Sequence, residues 1–197
     1  FVALESCKPV SGTWVKVISW SSPKLITWPS AKNESANANE DVPKSAPSLA
    51  SGTKAVVGAH SNDNEEGDNA GAAYVFHYDG SGWNQKAKLI NTSDGLPDDE
   101  FGYSVDIDND TIVVGASNED DNSYAYVFNY GGGEWSLSQK LLASDGAIGD
   151  RFGAAVAIDG DHIIVGAYGN DDSGSYTGSA YIYYNFNGNN WLETAKL

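Results

Sequence analysis

The amino-acid sequence predicts an all-β protein built from repeated four-stranded antiparallel units. Three observations carry that prediction. The stretch from Glu100 to Ala116 recurs from Arg151 to Ala167, and a recurrence at a fixed spacing near 50 residues marks a repeat architecture. Inside each copy, apolar and polar residues alternate with period two around turn-forming pairs. After each copy an aromatic run and a Trp-to-Lys-Leu run follow in the same order.

The first strand of the unit is Tyr103-Ser104-Val105-Asp106-Ile107-Asp108, where Val105 and Ile107 alternate with polar neighbours. That is the pattern of a half-buried strand. Asn109-Asp110, and Asp159-Gly160 in the second copy, are hairpin residues that tolerate the positive φ of a tight turn. The second strand, Ile112-Val113-Val114 or Ile163-Ile164-Val165, is continuously β-branched, as in a strand buried on both faces. Val56-Val57 occupies the same place earlier in the chain, so all these positions are expected in the core. Gly115-Ala116 and Gly166-Ala167 close the strand with small residues, as expected where backbones crowd.

An acidic, Asn-rich loop leads to the third strand, Tyr124–Phe128 or Ser179–Tyr184. Gly131-Gly132-Gly133 or Gly188-Asn189-Asn190 turns the chain into a fourth, Trp135–Leu141 or Trp191–Leu197. Four-stranded units repeated head to tail are the blades of a β-propeller. The sequence divides into an irregular segment, 1–43, and three blades at 44–90, 91–141 and 142–197. The first blade is eroded: Ser45-Ala46 stands where the others have Phe-Gly, although Gly58-Ala59, Ala73–Tyr78, Trp83 and Lys88-Leu89 are intact. Trp14–Ile18 and Trp20–Ile26 read as the last two strands of a partial blade before it.

Charge and composition restrict the function. The formal net charge is −16, with 27 acidic and 11 basic residues. This argues against nucleic acid or an anionic membrane surface as partner. No apolar run approaches the roughly 20 residues of a membrane-spanning helix. One cysteine, Cys7, allows no disulfide within the chain. The chain begins at Phe1 and contains no Met, which reads as a processed chain or a fragment.

Phe101-Gly102 with Gly115-Ala116, and Phe152-Gly153 with Gly166-Ala167, resemble the FG-GAP repeat. The resemblance covers 44–197 and implies an integrin-α-like β-propeller. It also implies a location outside the cell or on its surface, and use in adhesion, recognition or scaffolding rather than catalysis. Calcium-binding repeats of that family carry an Asp-rich loop between Phe-Gly and Gly-Ala. Here the place holds only Asp108-Asn109-Asp110 and Asp159-Gly160-Asp161, too short to supply the roughly 6–8 oxygens of a Ca²⁺ cage. The family's metal site therefore does not carry over.

The remaining cation candidates are the acidic loops after Gly-Ala, with Asp63, Asp120, Asp121, Asp171 and Asp172 as ligands for Ca²⁺. The competing reading makes them hydrated loop tips. Asp99 and Asp150, two residues before each Phe, read as turn caps. Asn33, Asn91 and Asn109 head Asn-x-Ser/Thr sequons and are candidates for glycosylation. No nucleophile motif, metalloprotease motif or phosphate-binding loop occurs, so no enzyme activity is expected.

The abundant aromatics leave a carbohydrate-binding propeller as an alternative, although packing between blades accounts for them better. A second alternative is the accessory propeller domain of a secreted hydrolase. Three blades and a partial one do not close a ring. The expected partners are therefore a protein or further copies that complete the propeller or an assembly such as a filament or sheath, with glycans as possible additional ligands.

Overall fold

The computed structural model describes residues 50–51, 54–92, 95–118, 123–172, 174, 177–188 and 190–197. The expected partial blade at Trp14–Ile26 lies outside these residues. The described chain contains twelve strands and no helix. The first sheet comprises β1 (Ala50–Ser51), β2 (Lys54–Ala59), β3 (Ala72–Tyr78) and β4 (Trp83–Leu89). The second comprises β5 (Phe101–Asp108), β6 (Thr111–Ala116), β7 (Tyr124–Gly131) and β8 (Glu134–Leu141). The third comprises β9 (Phe152–Asp159), β10 (His162–Ala167), β11 (Ser179–Asn185) and β12 (Trp191–Lys196). In each sheet neighbouring strands are consecutive and antiparallel, the meander of a propeller blade.

The predicted hairpins form where the residues permit them. Asp108 pairs with Thr111 and Asp159 with His162, so two residues make each turn. Asn109 and Gly160 take φ of 52° and 55° there. These two-residue turns cannot wrap a cation, in keeping with the loss of the family's Asp-rich loop.

Each blade has a leading face toward the blade before it and a trailing face toward the blade after it. Val56, Ala73, Val75 and Leu89 on the first trailing face pack against Phe101, Val105, Ile107, Ile112, Val114, Tyr126 and Phe128. Val113, Ala125, Val127 and Leu141 on the second pack against Phe152, Val156, Ile158, Ile163, Val165, Tyr181, Tyr183 and Trp191. Phe101 is fully buried, with its ring 5.4 Å from Tyr126 and 6.0 Å from Phe128. Phe152 meets Tyr181 and Tyr183 in the same way.

The Phe-Gly and Gly-Ala pairs are two halves of one joint. The strand register slips between Phe101 and Ser104, a bulge that leaves Gly102 and Tyr103 without pairs on β6. Gly102 adopts φ of 90° and Gly153 φ of 84°. The bulge thrusts the Gly102 carbonyl against Gly58 of the preceding blade and the Gly153 carbonyl against Gly115. A Cβ at Gly58 or Gly115 would fall on that carbonyl oxygen, so neither position admits a side chain.

Polar contacts fix the second and third blades in register. Ser104 Oγ donates to the Gly153 carbonyl at 2.7 Å. Asp106 accepts the Ile158 N–H at 2.8 Å, and Asp108 accepts the Gly160 N–H at 2.9 Å. At the first junction the backbone of residues 98–101 is tied to residues 68–70, including Phe101 N–H to the Ala70 carbonyl at 3.1 Å.

Two expectations about the core need correction. Ile164 is 41% exposed, although its strand partner Val165 is fully buried. Val57 is only half-buried. Both lie on faces with no neighbouring blade among the described residues: Ile164 on the third trailing face, Val57 on the first leading face. The β-branched run identifies a strand covered on both faces only where a blade stands on each side.

Candidate functional site

The loops after Gly-Ala and the residues before Phe-Gly share one rim of the stacked blades. Asp99 accepts the Leu96 N–H at 2.8 Å and Asp150 accepts the Ala147 N–H at 2.9 Å, so both cap their turns as expected. Glu100 and Arg151 follow them with φ of 55° and 59°. The same left-handed step in both repeats belongs to the turn that launches the Phe-Gly bulge.

The rim brings Glu100, Tyr103, Ser117, Arg151 and Tyr168 into one neighbourhood. The Arg151 guanidinium sits 5.7 Å from the centre of the Tyr168 ring, and its Nη1 reaches the Ser117 carbonyl at 3.4 Å. His60 stacks at a tilt on Tyr103, with ring centres 5.5 Å apart. Burial raises the Glu100 carboxyl above the ordinary carboxylate range, against the pull of Arg151, and nearby Asp98 adds to the rise. Burial likewise raises the Tyr103 hydroxyl. Glu100 Oε2 and Ser117 Oγ are sealed from solvent without hydrogen-bond partners. A hydroxyl with no base at hydrogen-bond distance is not an activated nucleophile. The rim offers polar and aromatic recognition chemistry. Sequence reasoning passed over Glu100 and Arg151 because each occurs once, at a position that differs between repeats.

The described cation candidates, Asp63, Asp171 and Asp172, are not gathered into a cage. Asp63 accepts the Asn69 N–H at 2.9 Å and braces its own loop. The Asp171 carbonyl accepts the Gly174 N–H at 2.9 Å. Asp172 is ion-paired to Lys196, which also binds Asp145 at 2.7 Å. Hydrogen bonds from Lys196 and then Asn170 hold the Asp172 carboxyl below the ordinary range. Asp120 and Asp121 lie outside the described residues. Among the described residues, no group of three or more His, Cys, Asp or Glu side chains could hold a metal.

The two described sequons differ sharply. Asn109 sits exposed at the tip of the β5–β6 hairpin. Asn91 is 4% exposed and its Nδ2 donates to the Tyr126 hydroxyl at 2.9 Å. A glycan on Asn91 would have to break that buried bond, so the structure disfavours this candidate. Asn33 lies outside the described residues.

The blades, the bulged Phe-Gly and the glycine it abuts define a propeller-type repeat module. The FG-GAP repeat model matches residues 48–76, 83–128 and 135–183, and the chain belongs to this family. Two matches begin at a Trp on the outer strand of one blade and end on the third strand of the next. The repeat in sequence is thus offset by one strand from the sheet. A comparison with curated proteins returns no match. FG-GAP repeats are typically non-enzymatic and are common in extracellular or surface proteins.

Proposed function

We propose that this module works outside the cell as a non-enzymatic unit of adhesion or structural assembly, and that it docks a further FG-GAP blade on its third trailing face. The bare apolar surface of that face carries the reading. Ile164 is 41%, Leu192 46% and Leu197 68% exposed, whereas Leu89 and Leu141, the counterparts of Leu197, are 5% and 1% exposed.

The likeness between faces supports that occupant. Ile164, Gly166, Ala180, Ile182, Ala195 and Leu197 repeat Val56, Gly58, Ala73, Val75, Ala87 and Leu89 almost one for one. The first of these faces is already docked by a blade that leads with Phe-Gly. Gly58 and Gly115 each receive the carbonyl of the following Phe-Gly bulge. A Cβ at Gly166 would meet only Ala155 of its own sheet, at 3.5 Å. The socket is present and its plug is not among the described residues. Exposed apolar faces of this kind mark association surfaces.

A tandem fusion tests the proposal. Appending a second copy of residues 91–141 after Leu197 is expected to raise the melting temperature and protect the β10 and β11 amides from exchange. Gly166→Val should abolish both gains in the fusion and leave the parent chain unchanged. A fusion that melts like the parent, or a gain that survives Gly166→Val, overturns the reading.

A further inference from the structure

The two junctions between blades differ at their outer edge. Gln139 on β8 grips the next blade through a pair of hydrogen bonds. Its Nε2 donates to the Trp191 carbonyl at 2.7 Å and its Oε1 accepts the Trp191 N–H at 2.8 Å. Trp191 is buried behind that clamp, at 3% exposure. Gln139 pairs with Val127 on β7, and the equivalent Val75 on β3 pairs with Ala87. A methyl group therefore stands where the clamp would begin. The first junction stays open as a cleft of about 370 Å³ between β4 and β8. Its walls include His77, Lys86, Ala87, Lys88, Tyr130 and Trp135.

The cleft departs from the rest of the molecule in charge as well as shape. The chain carries a net charge of −16, yet Lys86 lines this cleft opposite a single acidic wall residue, Glu134, while the Lys88 ammonium turns to the Tyr74 ring on the other face of the blade, 5.9 Å from its centre. Lys54, beside the cleft, is tied to Asp110 and lies 5.0 Å from the centre of the Tyr130 ring. The rings of Tyr130 and Trp135 stand 5.2 Å apart, and His77 meets Tyr130 edge-on at 5.5 Å. His77 Nε2 and Trp135 Nε1 are buried without hydrogen-bond partners. Buried polar atoms are seldom left in that condition. At the second junction the matching positions are Ser138 for Lys86, Asn129 for His77 and Asn185 for Tyr130, so the charge and the aromatic pair are confined to the open cleft.

We infer that the outer cleft between the first and second blades binds an acidic sugar, a hexose ring bearing a carboxylate or a sulfate. Its volume falls at the lower end of the roughly 300–1,000 Å³ range of small-molecule sites. The aromatic rings take the apolar face of the pyranose, and Lys86 takes the anionic group through a charge-assisted hydrogen bond. The mixture of aromatic surface and positive charge selects an anionic sugar over a neutral one. It also selects against a purely acidic peptide such as tetraglutamate, which has no ring to lay on Trp135.

The cleft can be closed by the molecule's own device. Ala87→Gln rebuilds the Gln139 clamp across the first junction and should fill the cleft while leaving the blades folded. Calorimetric titration of the full chain with trigalacturonate and with a sulfated heparin disaccharide separates carboxylate from sulfate. Binding of at least one is expected, together with a shift of the Trp135 indole N–H signal in NMR spectra. Ala87→Gln and Lys86→Glu should each weaken it at least tenfold, with the melting temperature of each variant held or raised. No binding of either probe at 10 mM overturns the inference. So does equal binding of maltotriose or tetraglutamate, or binding that both substitutions leave intact.

Discussion

Val113 and Ile164 occupy the same position in successive repeats, and they meet opposite fates. Val113 is fully buried because the third blade covers it, and Ile164 is 41% exposed because none of the described residues does. The strands around them are alike: each is antiparallel to both neighbours, and each ends in Gly-Ala. What differs is the next blade. In a stacked repeat protein, burial is a property of the pair of neighbours, and intrinsic stability is shared between units and interfaces.

The largest expected effect breaks this comparison directly. Val113→Asp places a carboxylate in the closed junction with no partner, at a cost on the order of 4 kcal/mol. Small domains have about 5–15 kcal/mol in all, so this variant should lose its cooperative melting transition or melt far below wild type. Ile164→Asp puts the same group on a wet surface and should change stability by less than about 1 kcal/mol. Thermal melting of the two variants checks the contrast. Equal losses would mean that the third trailing face is already covered in solution.

How much of this was legible follows from what each signal encodes. Period-two alternation and turn residues report local backbone, so the strands and the hairpins could be read directly, whereas the ring contacts of Phe101 and Phe152 could not. Crowding at Gly115 could be inferred from small residues, but its partner, the Gly153 carbonyl 38 positions later, could not. Ala87 and Gln139 were not recognisable as a missing and a present clamp, because the difference emerges only when β4 and β8 are set against the blades they face. Acidic loops advertised cation ligands, yet Asp172 was already committed to Lys196. Pairwise commitments between distant side chains leave no periodic trace in a single sequence.

A smaller effect sharpens the comparison at the glycines. Gly115→Ala drives a methyl into the Gly153 carbonyl, and Ser104 Oγ would also be crowded. The backbone there cannot yield without parting the blades, so a cost of roughly 1–3 kcal/mol is expected. Gly166→Ala meets ordinary contact distance to Ala155 at 3.5 Å. It should be neutral, or stabilise by a few tenths of a kcal/mol through the unfolded chain, as about 0.4–1 kcal/mol is the usual gain at a compatible site. Denaturant midpoints for both variants test this. A Gly115→Ala chain as stable as wild type would show that the bulge does not bear on the preceding blade.

A further comparison sets two aspartates against each other by pH. Asp106 is fully buried between the second and third blades, where its oxygens accept the Ile107 and Ile158 N–H groups, each at 2.8 Å. Burial raises its carboxyl to about 7 despite those two bonds, and Asp108 and Asp159 add to the rise. Asp145 lies exposed on the third blade, and hydrogen bonds from Lys196 and then Tyr181 lower its carboxyl. The signs are opposite. A folded-state value above the unfolded value of about 3.9 means that the native state holds its proton more tightly. Asp106 therefore contributes most to stability in acid and less as pH rises from about 4 to about 7. The lowered Asp145 contributes above about pH 4, and its share is lost as pH falls through its folded value. Asp106→Asn should accordingly gain on wild type in melting temperature between pH 4 and pH 7. Asp145→Asn should fall behind wild type as pH rises from about 3 to about 5, by a margin that shrinks with added salt because the Lys196 pair is exposed. Differences from wild type that stay flat across both windows would show that neither carboxylate titrates differently in the folded chain.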